Sequence, residues 1–200
     1  MLVAARARTL ALVSDLRPGQ WLGPQLDTVN PPLWELGHLG WFEEFWCLRG
    51  GSHQAASLIA DADALYDSAR VAHQQRWLLP LSGTAATLSY LEQVRERVME
   101  GLAQHSGDAY FGELCALHEE MHAEALAHAR QTLGQAAPPG VTVPLAGNPW
   151  PGDAEVGGGR YRLGAEPGGG FVFDNEKHAH EVEVRDFRIS KAPVSNAQFA

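Results

Sequence analysis

The stretch Tyr110-Phe-Gly-Glu-Leu-Cys-Ala-Leu-His118-Glu-Glu-Met-His122-Ala-Glu124 has the pattern of a helix, and its two histidines stand four residues apart. At 3.6 residues per turn this spacing rotates the second imidazole by only about 40° and raises it by about 6 Å, so both rings can reach one ion. The helix is expected over residues 108–133, from Asp108 at its start to a stop at Gly134.

A second histidine-bearing helix is expected over residues 31–49, with Asn30 as its cap, Pro31 in the first turn and Gly50-Gly51 ending it. Its apolar positions Trp34, Gly37, Trp41, Phe45 and Leu48 recur at three- and four-residue steps, and His38 falls on the same inward stripe. An inward imidazole needs a polar partner. Two further helices are predicted. One covers residues 2–16, with Leu2, Ala5, Thr9, Leu12 and Leu16 interspersed with arginines. The other covers 84–104, capped by Thr84, with Leu88, Leu91, Val94, Val98 and Leu102 inward and its charged residues in water. Four long helices with one apolar face each predict a mainly α chain built on an antiparallel four-helix bundle, an architecture that holds metal sites between facing helices.

Between the second and third helices, residues 50–83 form a long connection. It holds a short helical stretch from Ala60 to Arg70 and the segment Arg76-Trp77-Leu-Leu-Pro80. After Gly134 the composition shifts to glycine and proline through Gly170. Arg160–Gly164, within that stretch, and His180–Ile189, after it, alternate as strands do, and a helix begins near Ser195. The predicted organisation is a helical domain over 1–135, then a linker and the incomplete start of a β-containing domain over 136–200, since so few strands do not bury a core alone.

The composition narrows the range of partners. The 200 residues carry a formal charge of −9 with Lys and Arg scattered, which argues against a phosphate backbone or an anionic membrane and favours small molecules. Cys47 and Cys115 lie in helical segments without Cys-x-x-Cys spacing, so reduced thiols packed as small core residues are expected. With no apolar run long enough for a bilayer, the expected location is the cytoplasm.

His38, His118 and His122 together could bind a metal through one face and leave positions open. Imidazole suits iron, zinc, copper and nickel alike, so the residues alone do not name the ion. His118-Glu-Glu-Met-His122 also matches the His-Glu-x-x-His zinc-hydrolase pattern, with His128 where a third ligand would stand. Ala125 replaces the helix-breaking glycine that this arrangement needs, His128 points about 80° away on an unbroken helix, and no methionine follows Met121. Glu119 would be the base of such a hydrolase; in the bundle reading it is a solvated carboxylate or one that supports a ligand. Glu120 and Glu124 point away from the histidine face and take structural roles. His53, His73, His105, His178 and His180 lack paired spacing and are read as surface or loop residues.

Three motifs in order, Leu36-Gly-His38-Leu-Gly-Trp-Phe-Glu43, His118-x-x-x-His122-x-Glu124 and Phe171-Val-Phe-Asp174-Asn175-Glu176-Lys-His-Ala-His180-Glu-Val-Glu-Val184 followed by Pro193-Val-Ser-Asn196, resemble the sulfoxide synthases of ergothioneine biosynthesis. These enzymes join a DinB-like bundle to a domain like the formylglycine-generating enzyme, a C-type-lectin-like fold. The resemblance implies that His38, His118 and His122 hold Fe(2+), and that Phe171 to Val184 opens the second domain. It also implies the substrates hercynine, O2 and a thiol. The variant Asn30-Pro-Pro-Leu-Trp-Glu-Leu-Gly-His38 is similar to a bacterial subgroup that includes selenoneine synthases, so the donor could carry selenium.

In the family a catalytic tyrosine comes from the second domain, and none of Tyr66, Tyr90, Tyr110 and Tyr161 matches it. This chain is therefore expected to bind metal but turn over poorly. Arg76 stands where related synthases hold a substrate carboxylate, a task suited to a guanidinium fork, and an ordinary surface arginine is the alternative reading. A metal-dependent thiol transferase or binding module of the DinB type is the alternative without oxygen chemistry.

Overall fold

The computed structural model describes residues 1–104, 107–139, 150–168 and 170–199, apart from the side chains of residues 196 and 197. The chain divides into two compact units, Met1–Val141 and Thr142–Ala200. In the first, helices α1 (Leu2–Val13), α2 (Pro32–Glu43), α4 (Thr84–Ala103) and α5 (Ala109–Thr132) form a bundle, with the short α3 (Ala62–Tyr66) in the long connection. Helix α1 packs on α5, and α2 lies against both α4 and α5.

Helix α2 is the central rod. Eleven of its twelve residues are buried, so it is enclosed on all sides and not merely along one stripe. It begins with Pro31 as the extended cap and Pro32 in the first turn, where a missing N–H costs nothing. Asn30 is thus not the cap expected from the sequence; its side chain goes elsewhere, as described below. The α-helix also ends earlier than expected, passing at Glu43 into a π-helical turn over Glu44–Leu48. That turn adds a residue to the repeat, and Leu48, expected inward, is left 38% exposed.

Around α2 the core comprises Leu36, Leu39, Leu91, Leu126 and Val13 on one side, and Trp34, Trp41, Phe45, Ala62 and Tyr66 on another. Gly37 is what allows Tyr66 in so close, because a Cβ there would fall 2.1 Å from the tyrosine ring. Two further bonds fix α3 against α2, from Trp34 Nε1 to the Leu65 carbonyl at 2.8 Å and from Trp41 Nε1 to Asp63 Oδ1 at 2.7 Å. Asp63 also receives both Nη atoms of Arg49, at 2.7 and 2.9 Å, and this pair holds its carboxyl well below the usual range.

Two arginines are inside, and one of them, Arg95, was expected in water. Arg6 of α1 bonds Glu43 at 3.0 Å and Glu119 at 2.6 Å; Arg95 of α4 bonds Glu43 at 2.6 Å and Glu119 at 2.7 Å. All four residues are buried. Two positive and two negative side chains cancel, and the main-chain carbonyls of Leu91 and Leu2 each accept one further guanidinium N–H, from Arg6 and Arg95 respectively. Burial works against the charge on Arg95, yet the bonds to Glu43 and Glu119 outweigh it and raise its pKa.

The boundaries of the other helices differ from expectation by a few residues. α1 stops at Val13 instead of residue 16, and α4 is capped by Gly83 instead of Thr84. α5 starts where expected, with the Asp108 carboxylate accepting from the Tyr110 N–H at 2.8 Å. Within the connection the short helix spans Ala62–Tyr66, and His73–Trp77 makes a 3-10 turn. Among the described residues no helix is long and apolar enough to cross a membrane.

The second unit holds β1 (Asp153–Val156), β2 (Gly159–Leu163), β3 (His180–Val184), β4 (Phe187–Ser190) and a terminal helical turn, α6 (Asn196–Phe199). β1 pairs antiparallel with β4, and β2 with β3, in the registers Val156 to Phe187 and Gly159 to Val184. The result is a two-stranded ribbon interrupted midway on both strands. β1 falls in the glycine- and proline-rich stretch that the sequence marked as linker, and residues 140–149 of that linker lie outside the described residues.

Candidate metal centre

The three histidines singled out from the sequence meet. His38 comes from α2, and His118 and His122 from α5, with one ligand atom of each lying within 4.8 Å of the other two. The Nε2 atoms of His118 and His122 are 3.2 Å apart, close to the separation of two nitrogens each about 2.1 Å from a shared ion. The ring of His38 lies 5.1 Å from that of His118 and 4.9 Å from that of His122, centroid to centroid. Among the described residues this is the one such group of metal-binding side chains.

Each ring is held by a different device. The Nδ1–H of His38 donates to the Tyr66 carbonyl at 2.8 Å, which leaves Nε2 with its lone pair directed at the other two histidines. His122 turns its Nδ1 to the Glu35 carboxylate, so its Nε2 is likewise a donor to metal. His118 lies flat on Phe42, 3.7 Å between centroids and 12° from parallel. Trp34 stacks on the far side of His38 at 4.9 Å. Burial, then the neighbouring His122, push the pKa of His38 down to about 4; burial, then the other two imidazoles, push that of His118 down to about 2. Both are therefore neutral near pH 7, the form that binds metal. This chemistry of soft-edged nitrogen donors on one face fits a divalent transition metal.

Behind the histidines lies a layer of which the sequence reading singled out only Arg76 as a site residue. Glu35, 3% exposed, accepts from Asn30 Nδ2 at 2.7 Å through the oxygen not engaged by His122. Asn30 Oδ1 in turn accepts from Arg76 Nη1 at 2.7 Å. Burial, the largest single influence, acts to raise the pKa of Glu35, but the bonds from His122 and Asn30 and the attraction of His122 and His38 together outweigh it, and the net direction is down. A readable signal existed: Glu35 stands three residues before His38, so it shares the inward side of an otherwise apolar helix. Arg76 itself lies over the Trp34 ring at 3.9 Å, and burial lowers its pKa.

Other residues fall outside the cluster. Glu119, expected to be solvated or to support a ligand, is instead 2% exposed and committed to Arg6 and Arg95. That commitment deprives the His-Glu-x-x-His reading of its base. Glu120 pairs with Arg8 at the surface, and Glu124 and His128 are exposed. His53 faces Asp63 at 3.1 Å, and His73 bonds the Val29 carbonyl at 2.8 Å from the half-buried 3-10 turn. His178 and His180 are exposed on the ribbon unit, and His105 lies outside the described residues. Cys47 and Cys115 are free thiols in contact, 3.6 Å between sulfurs; that contact, with burial, raises the pKa of Cys115.

A helical bundle that gathers three imidazoles from two of its rods, each oriented by a hydrogen bond or a stacked ring, defines a class of proteins with a metal-capable site between helices. The chain belongs to the DinB superfamily, whose family model matches residues 1–137. Over 99% of its length it is also similar to proteins named hercynine oxygenase, at 32% identity to that of Mycolicibacterium smegmatis, 34% to that of Mycolicibacterium thermoresistibile and 33% to that of Mycobacterium tuberculosis. It covers 48%, 46% and 48% of those proteins, so the chain spans about half the length of the curated relatives it matches.

Proposed function

We propose that the chain carries the ferrous-iron site of an oxygen-dependent synthase that forms a C–S or C–Se bond on the imidazole of hercynine. The observation that carries this reading is the convergence of His38, His118 and His122 on one point, and the likeness to hercynine oxygenases over 99% of the chain supports it. The proposed ligands are these three histidines and the proposed ion is Fe(2+), which when bound supplies oxygen activation and open positions for substrates.

The chain's own residues orient and shield the site. Tyr66 and Glu35 hold the Nδ1 protons of His38 and His122, so the Nε2 lone pairs face inward without a reorganisation cost. Phe42, Trp34 and Trp41 wall the histidines with aromatic surface that excludes water. Arg76, with Nη1 on Asn30 and its buried Nε lacking a partner among the described residues, is the proposed anchor for a substrate carboxylate. The β ribbon is proposed as the opening of a formylglycine-generating-enzyme-like domain. A DinB-type thiol transferase remains the second reading, favoured by a family match confined to residues 1–137, the helical part.

Purification and reconstitution without oxygen is expected to load one iron per chain, with loading lost in His38→Ala and His122→Ala variants whose helical circular dichroism is unchanged. The iron-loaded chain should then show a spectral change with hercynine. Tightly held zinc with peptidase or thiol-transfer activity, or no metal uptake by the unaltered chain, would overturn the reading.

A further inference from the structure

Glu35 is a carboxylate deep in the protein, and such a group persists only if both oxygens are satisfied. One oxygen takes the His122 ring and the other takes Asn30 Nδ2. The amide of Asn30 is then fixed from its other end, because Oδ1 receives the Arg76 guanidinium. Flipping that amide would set its NH2 against the guanidinium and its oxygen against the carboxylate, two repulsive contacts in place of two attractive ones. The arrangement therefore has one polarity, running from Arg76 through Asn30 and Glu35 to His122.

Arg76 also reaches the centre by a second path. Its guanidinium lies on Trp34, and Trp34 stacks within 6° of parallel on His38. A turn over His73–Trp77, outside both helices that supply the histidines, thus bears on the rings from each.

We propose that Arg76, Asn30 and Glu35 form a positioning relay that sets the orientation and donor strength of His122, making it a stronger ligand than His38, whose Nδ1–H meets only a neutral carbonyl. The proposal rests on the metal-site reading above. A carboxylate accepting the Nδ1 proton increases electron density at Nε2 and adds a negative charge next to the three rings, and outer partners of this kind are worth about 10- to 100-fold in metal affinity. None of the three residues touches the ion; they act through His122.

The test uses Co(2+) as the probe, binding to the chain by titration with the visible ligand-field spectrum as a second readout and circular dichroism as the check on folding. Glu35→Gln is expected to weaken Co(2+) binding about 10- to 100-fold and shift the spectrum. Asn30→Ala and Arg76→Gln should act in the same direction by less, and Asn30→Ala should add little in the Glu35→Gln background because the chain is already cut. Unchanged affinity and spectrum in folded Asn30→Ala and Arg76→Gln proteins would overturn the relay, and these half-buried positions keep the test usable if Glu35→Gln fails to fold. Failure of the unaltered chain to bind Co(2+) would instead remove the metal-site reading, and the relay with it.

Discussion

The helical unit and the β ribbon treat the same kinds of side chain in opposite ways. In the first, even charged residues such as Arg6, Glu43, Arg95 and Glu119 are buried; in the second, Leu163 stays 58% exposed and Ile189 56%. Both units have regular backbone pairing, helical in the first and antiparallel in the second, so the presence of pairing alone does not separate them. A second layer does. Helix α2 is covered by α4, α5 and α3, whereas a two-stranded ribbon has nothing of its own to place over either face. The desolvated, fixed polar groups are accordingly found in the helical unit.

Substitutions matched across the two units can break or sharpen that contrast. The largest effect is expected for Glu119→Ala, which leaves Arg6 and Arg95 sharing one carboxylate; urea denaturation should show a loss of about 3–5 kcal/mol. A midpoint near that of the unaltered protein would mean that the buried charges relax into water.

An intermediate effect is expected from acid on the metal-free helical unit. With the His38 pKa at about 4 in the folded chain and about 6.5 when unfolded, the unfolded chain takes up a proton that the folded chain refuses. Stability is thus complete above about pH 6.5 and falls as pH drops toward 4, by about 1.4 kcal/mol per pH unit at most from this group; His118, displaced further in the same direction, adds to it. Urea midpoints of chelator-treated protein at pH 7, 6 and 5 should decline in that order, and a flat series would contradict the buried, neutral state of these rings. The smallest effect is expected for Ile189→Ala on the ribbon, which should change the unfolding of the helical unit by no more than about 0.5 kcal/mol.

Legibility in the sequence followed the physics of periodicity. The four-residue spacing of His118 and His122 and the stripe position of His38 put the rings on the inward faces of their helices, because helical repeat fixes direction; that these faces meet at one point depends on the packing of α2 on α5. Arg95 was misplaced because a periodic argument sends arginine to water by default, and nothing in its own helix reveals that α2 and α5 each offer it a carboxylate. Leu48 was misplaced by the π-helical turn, which shifts the phase of everything after Glu43 and leaves no mark in composition. Asn30 has the residue type of a helix cap, but two prolines follow it and Pro31 takes that role, releasing the amide to meet Glu35 and Arg76. β1 was hidden because its four residues sit among glycines and prolines, where alternation is too short to register.

The buried quartet has a consequence for how the bundle comes together. Each long rod brings one charge, positive on α1 and α4, negative on α2 and α5. Any three of them would enclose an unbalanced charge, and α2 meeting α5 alone would press two anions together in a space poor in water. Yet α2 and α5 are the rods that carry the histidines. Their union is thus favoured only once both cationic rods are in place, which makes a completed histidine cluster a mark of a completed bundle and disfavours a metal trap in half-assembled chains.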